Sequence, residues 1–331
     1  MRASTVANQV NCPLLLESIT SNTSADVVKM KKERGNAVFA TVTPASLACD
    51  GKEYWNENWN EAASFLTSPP LRKGVSNALI EATASNIDVV SSNHRTFTSQ
   101  QRAFGLKDFT KIPVGVNGIG ERMMILWDKL VHSGKSTPEK FVALTSANAA
   151  KLFNMYPEKG RLEVGSQADL VIWDPNGCKT ISVGDHHSKA DYNVFNGTAV
   201  HGIPESVIIS GRIVMDEGQL RVMQGYGKFI PLAPFGAHVY EKVRAKEAEM
   251  RSTTAVIRNE SLPSNGNSTD AVPPPTPVKS NKAEKAASQQ ESNFDLKSHP
   301  NGNGDAPLQT KAATSVRVRA PPGGRSSGGF W

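Results

Sequence analysis

The sequence predicts an α/β protein with a β-rich segment toward its C-terminal side and a disordered tail, and three observations predict it. Short β-branched runs alternate with helical patterns up to about residue 155, which argues for βα units and a parallel sheet. From about Gly160 to Val222 the helical period gives way to short strands separated by turn pairs. Past Arg251 the composition shifts to Ser, Asn, Pro, Gly, Lys and Ala, with low-complexity runs PPPTP at 273–277 and PPGGR at 321–325.

Taken in order, residues 1–11 read as the closing turns of a helix, and residues 14–19 (LLLESI), after Pro13, as a strand. Residues 24–33 form a helix that Ser24 can cap, with Ala25 and Val28 on its apolar stripe and Gly35 ending it. Residues 37–42 (AVFATV) are a second strand, stopped by Thr43-Pro44. The aromatic and amide-rich stretch 50–59 reads as a loop, as does the region of Pro69-Pro70 and Gly74. A weak helix at 75–84 precedes a third strand at 87–90. Residues 121–132 set Met124, Ile125, Trp127, Leu130 and Val131 on one side of an amphipathic helix. Ser136-Thr137-Pro138-Glu139 starts another helix by its capping chemistry and early proline, and 146–153 is a further short one.

The β-rich segment begins with KGRLEVGSQADLVIWDPNG. Residues 161–164 and 169–173 read as strands split by Gly165-Ser166-Gln167, and Asp174-Pro175-Asn176-Gly177 closes the second with strong turn chemistry. More strands are expected at 193–195, 206–210, 212–215 and 220–222. Ser210-Gly211-Arg212 and Asp216-Glu217-Gly218-Gln219 are hairpin-like. Residues 229–235 are a proline-spaced extended segment, and 238–250 a helix with Val239, Tyr240 and Val243 apolar.

Composition narrows the function classes. A length of 331 residues allows one large domain or two ordinary ones, and the modest 38% hydrophobic content reflects a deficit past residue 251. The net charge of +6 is dispersed, with no Lys/Arg block, which argues against a nucleic-acid binder. Cys12, Cys49 and Cys178 are odd in number and widely spaced, so a reduced, intracellular chain is expected. No apolar run approaches the ~18 residues of a membrane span, and MRASTVANQVN has no secretory h-region. Residues 252–331 cannot bury enough apolar surface to offset their ordering entropy.

Several ordered words then carry a family resemblance: NCPLL (11–15), FLTSPPLR (65–72), KDFTKIP (107–113), WDKLVHSGK (127–135), FVALTSANAAKLFNMYP (141–157) and ADLVIWDP (168–175). They are similar to the dihydropyrimidinases and to their non-enzymatic relatives, the collapsin response mediator proteins, of the amidohydrolase superfamily. The run RVRAPPGGR (317–325) resembles the extreme C-terminus of the collapsin response mediator proteins in particular. The resemblance implies the C-terminal part of an amidohydrolase-type (β/α)8 barrel plus a small β-sandwich, followed by the disordered tail. Residues 1–158 would be the last βα units of an incomplete barrel, 159–235 the β-sandwich return, 236–251 a C-terminal helix and 252–331 the basic tail. Three strands do not close such a barrel, so strand 14–19 is expected to leave an open edge.

The resemblance also implies where chemistry would sit. Dihydropyrimidinases activate a hydroxide on paired metals to open a cyclic amide. A histidine ligand position of that family matches Ser18, and an aspartate ligand position matches Asn93. An asparagine that contacts substrate matches Val114. Zinc prefers imidazole nitrogen, thiolate or carboxylate oxygen, and an amide or hydroxyl is a poor replacement. The expectation is therefore a pseudoenzyme with no catalytic residue and no cofactor, zinc belonging only to the alternative of a zinc hydrolase of cyclic amides. His94 and the His186-His187 pair read as polar loop residues, Asp50 as a structural one, Cys49 as inert, and Trp55 and Trp59 as core or interface. Thr276-Pro277 fits a proline-directed phosphorylation site among Lys279, Lys282 and Lys285. By resemblance the chain would be a cytoplasmic protein of neuronal processes. It would bind tubulin or microtubules, act in axon guidance and assemble as a homo- or hetero-oligomer, without nucleic-acid or membrane partners.

Overall fold

The computed structural model describes residues 1–252, so the expected tail and Thr276 lie outside the described residues. The first layer is a parallel sheet of β1 (Leu14–Leu16), β2 (Val38–Val42) and β3 (Val89–Val90), in that spatial order. Leu14 pairs with Val38 and Thr41 with Val89. The central strand β2 buries Val38, Ala40 and Val42. Among the described residues β1 pairs with β2 alone, which leaves the expected open edge. Strand β1 is shorter than its sequence implied, because the chain turns at Ser18, whose φ of 57° is left-handed.

Helices α1 (Arg2–Gln9), α2 (Asn22–Glu33), α3 (Pro44–Ala48), α4 (Trp59–Ser64) and α5 (Ser76–Ser85) accompany these strands. Ser21, not Ser24, caps α2: its extended backbone lets the Oγ accept from Ser24 N at 3.3 Å. Thr43 caps α3 directly before Pro44. The stretch read as a loop at 50–59 is partly helical. A 3-10 turn spans Gly51–Trp55, and Asn58 caps α4 through Asn60 N. A short helix α6 (Ser99–Arg102) follows β3. Then α7 (Arg122–Leu126) runs on as a wider, π-helical stretch, Trp127–His132. The two helices expected after Thr137 are continuous: α8 (Pro138–Val142) passes through a π-helical Ala143–Ala147 into α9 (Asn148–Leu152).

The β return is one four-stranded antiparallel layer, β4 (Leu170–Thr180), β5 (Ala199–Ile209), β6 (Arg212–Asp216) and β7 (Gln219–Leu220). Residues 161–164 do not join it: Leu162 is 85% exposed and Val164 wholly exposed, and neither pairs with a strand among the described residues. Nor does Asp174-Pro175-Asn176-Gly177 end β4. The ladder to β5 is interrupted between Asp174 and Cys178, and the strand resumes at Cys178↔His201. Residues 193–195 form a turn, in which Asn193 Oδ1 accepts from Phe195 N at 2.9 Å. Both hairpin turns are as expected, with left-handed Ser210-Gly211 and Glu217-Gly218 pairs.

Aromatic packing joins the layers. Trp173 on β4 lies 5.5 Å from both Trp127 and Phe141, and those two rings meet edge to face at 5.0 Å. Helix α10 (Ala237–Ser252) buries Val243, and Lys246 Nζ donates to Asn8 O and Asn11 Oδ1. This helix ends one residue past the expected boundary at 251.

Candidate functional site

In a parallel α/β sheet the functional side chains stand at the C-terminal ends of the strands. Here those ends carry hydroxyls and amides. Ser18 follows β1, Thr41 lies near the end of β2, and Ser91 and Asn93 follow β3. Asn93 is left-handed at φ 44°, and its Nδ2 donates to Ser18 Oγ at 3.3 Å. Ser18 N donates to Thr41 Oγ1 at 3.0 Å, and Ser91 Oγ to the same atom at 3.3 Å. Ser18 and Thr41 are buried. The two positions singled out by sequence are thus in direct contact, within a neutral network.

His94 is half-buried and held by backbone donors. Its Nδ1 accepts from the N–H groups of Gly118 and Ile119, each at 3.3 Å, which puts the proton of a neutral ring on Nε2. His94 also makes an isolated parallel bridge to Val116, outside the named strands. Arg122 donates to Val90 O at 2.9 Å, and burial lowers its pKa. Val114 stands apart from this network, 36% exposed, in a loop fixed from below by Arg102.

Arg102 is a feature that sequence reading missed. It is 1% exposed and donates to the carbonyls of Ala63, Pro113 and Gly115 and to Tyr192 OH. Its guanidinium also stacks 4.9 Å over the Tyr192 ring. A second buried network was equally silent in sequence. Asn117 Nδ2 donates to Asn193 Oδ1 at 2.7 Å, and Asn193 Nδ2 to Glu121 Oε1 at 2.6 Å. No motif marks either one, because their partners are backbone carbonyls or residues more than seventy positions away.

Other sequence candidates resolve into structural roles. Asp50 accepts from Lys52 N at 2.8 Å and Gly74 N at 2.9 Å, and these bonds hold its carboxyl below the usual range. Burial pushes the Cys49 thiol up to about 12, which makes it inert at neutral pH. Trp55 is 79% exposed, so it is not a core residue. Of the pair read as polar loop residues, His187 is exposed and His186 half-buried.

Residues at the strand ends do not fit a zinc pair. The chain offers a hydroxyl and a carboxamide at 18 and 93, and neither becomes an anionic or imidazole donor. Among the described residues no three His, Cys, Asp or Glu side chains are placed to hold a metal ion.

Parallel βα units whose strand ends meet at one polar mouth, followed by a four-stranded antiparallel sheet, place the described residues in the mixed α/β class. The Amidohydrolase family profile matches residues 106–214. Rat dihydropyrimidinase is 44% identical over 250 residues, covering 75% of this chain and 48% of its own length. Human dihydropyrimidinase-related protein 5 is 37% identical over 340 aligned residues, 99% of this chain and 59% of its own. A D-hydantoinase crystal structure superposes with a TM-score of 0.68 at 33% identity, over 72% of this chain and 51% of the other. Dihydropyrimidinase from Brevibacillus agri gives 0.64 at 36% identity, over 66% and 48%. Residues 106–214 carry an amidohydrolase domain, and the chain is similar both to dihydropyrimidinases and to dihydropyrimidinase-related proteins. It spans about half the length of the curated relatives it matches.

Proposed function

We propose that this chain is a non-catalytic member of its family, an adaptor of the collapsin response mediator type. In this reading it binds tubulin or microtubules in the cytoplasm of neuronal processes, serves axon guidance and neurite outgrowth, and works as a homo- or hetero-oligomer. The observation that carries it is the Asn93–Ser18 hydrogen bond at 3.3 Å. Two neutral side chains satisfy one another at the two positions where a hydrolase of this branch would present metal ligands. Similarity to human dihydropyrimidinase-related protein 5 runs along 99% of the chain, whereas that to rat dihydropyrimidinase stops at 75%. Thr276, if phosphorylated, would add about −1.5 to −2 charge next to Lys279 and weaken attraction to an acidic partner.

The test pairs two measurements. Zinc content after dialysis and ring opening of dihydrouracil should both be null. Microtubule co-sedimentation should occur for the full chain and drop for a version ending at Met250, most visibly at low salt. Stoichiometric zinc with ring opening would overturn the reading. No pelleting of folded, soluble protein would remove its cytoskeletal half. A second reading, a dihydropyrimidinase-like zinc hydrolase of cyclic amides, is favoured by the 44% identity to the rat enzyme. It requires a donor set beyond Ser18 and Asn93.

A further inference from the structure

A cavity of about 490 Å³ lies where the start of α7 faces β4, β5 and the β6–β7 turn. It is distinct from the strand-end mouth, since neither Ser18, Asn93 nor His94 lines it. Its size falls within the ~300–1,000 Å³ typical of small-molecule sites. Met124, Ile181, Ile203, Pro204 and Met215 make its walls apolar.

Its polar groups are lopsided in charge. Asp174, Asp185, Glu205 and Glu217 line it, with Lys179 as the cation among them. Lys179 Nζ is 3.4 Å from Asp185 Oδ2, so those two charges offset each other. Glu205 and Glu217 form no hydrogen bond or ion pair through their carboxylates among the described residues. Deeper in, Glu121 is 4% exposed and accepts from Asn193 Nδ2, a neutral donor. Among the described residues, His186 Nδ1 is buried without a partner. A negative field over apolar walls repels anions and rewards a ligand that neutralises it while burying hydrocarbon. Among the described residues these carboxylates do not converge with a third donor to hold a bare divalent ion.

We propose that this cavity binds a small organic cation, an amidinium, guanidinium or ammonium carried on an apolar body. The apolar part rests on Ile203, Pro204 and Met215, and the cation meets Glu205 and Glu217. Binding here does not depend on whether the strand-end mouth holds zinc, so its failure leaves the adaptor reading untouched.

Calorimetric titration of the full chain with benzamidine, benzyl alcohol and benzoate tests it, because the three share a ring and differ in charge. Benzamidine should bind saturably, benzyl alcohol at least about tenfold more weakly, and benzoate not at all. The exposed pair Glu205→Gln/Glu217→Gln should weaken benzamidine about tenfold and leave benzyl alcohol unchanged. Filling the cavity with Met215→Trp should abolish binding of both, with an unchanged circular dichroism spectrum confirming the fold. Equal binding of benzamidine and benzoate would overturn the proposal. So would benzamidine affinity that is indifferent to the double substitution, or no benzamidine binding at all.

Discussion

Gly202 carries the junction between the two layers, and replacing it by alanine should be among the costliest small changes in the chain. It sits on β5 at φ +77°, and a Cβ there would lie 2.2 Å from Trp127 Cδ1 and 2.7 Å from Cγ and Nε1. Trp127 cannot simply swing away, because Phe141 meets it edge to face at 5.0 Å and Trp173 lies 5.5 Å off. Two costs add. A left-handed non-glycine residue costs roughly 1–2 kcal/mol, and forcing atoms into a packed core costs roughly 1–3 kcal/mol. Gly202→Ala should therefore lose roughly 2–5 kcal/mol. Gly211 supplies the control. Its φ is +78° but nothing stands within 4 Å of its Cβ, so Gly211→Ala carries the backbone cost alone. Urea unfolding of both variants, followed by circular dichroism at constant m-value, separates the two terms. If the clash is real, Trp127→Leu in the Gly202→Ala background should recover part of the excess, as a non-additive pair. A Gly202→Ala cost no larger than that of Gly211→Ala would refute the steric argument.

Arg102→Lys should destabilise by at least about 3 kcal/mol, because an ammonium cannot replace a fork that serves several buried carbonyls. A thermal melt matching the parent chain would contradict the clamp at Ala63, Pro113 and Gly115. In a thiol titration of the native chain Cys12 and Cys178, both exposed, should react promptly, and Cys49, raised to about 12, only on unfolding. Prompt labelling of all three would mean that Cys49 is open to solvent. Asp128 pins β5 by accepting from His201 N at 3.2 Å and contacting His201 Nδ1 at 2.9 Å. Burial opposes its ionisation, but the bonds from His201 and Lys129 outweigh it and hold the carboxyl below its ordinary value. That value is roughly 3.9 in the unfolded chain. Its contribution is thus full above the unfolded pKa and lost as pH falls through the folded one. Asp128→Asn should lower stability at neutral pH and flatten the acid limb of the stability curve, and an unchanged acid limb would assign that limb to other carboxylates.

Much of the parallel layer was legible because its signals are local. Val38, Ala40 and Val42 combine a buried face with Thr43-Pro44 as a stop, and strand and cap both follow from neighbours in sequence. The misreadings share a physical cause, which is that strands and turns are decided by partners. Residues 161–164 have strand composition but pair with no strand among the described residues. The Asp174–Gly177 run has turn chemistry, yet β5 continues opposite it and converts the turn into an irregularity of the ladder. The cavity was invisible for the same reason, since its walls come from α7, β4, β5 and the β6–β7 turn.

At the strand-end mouth, resemblance pointed to two positions but not to their contact. Ser18 and Asn93 are 75 residues apart, and only the parallel register of β1, β2 and β3 brings them to 3.3 Å. Their pairing bears on why both are neutral. A carboxylate at 93 has no N–H to give the buried Ser18 Oγ, so the present bond would be lost. A histidine at 18 facing Asn93 would exchange a compact hydroxyl for a ring in a site enclosed by Thr41 and Ser91. Either change alone breaks the network and gains a ligand without a second. The neutral state of the mouth is therefore self-consistent, each side chain supplying what the other requires.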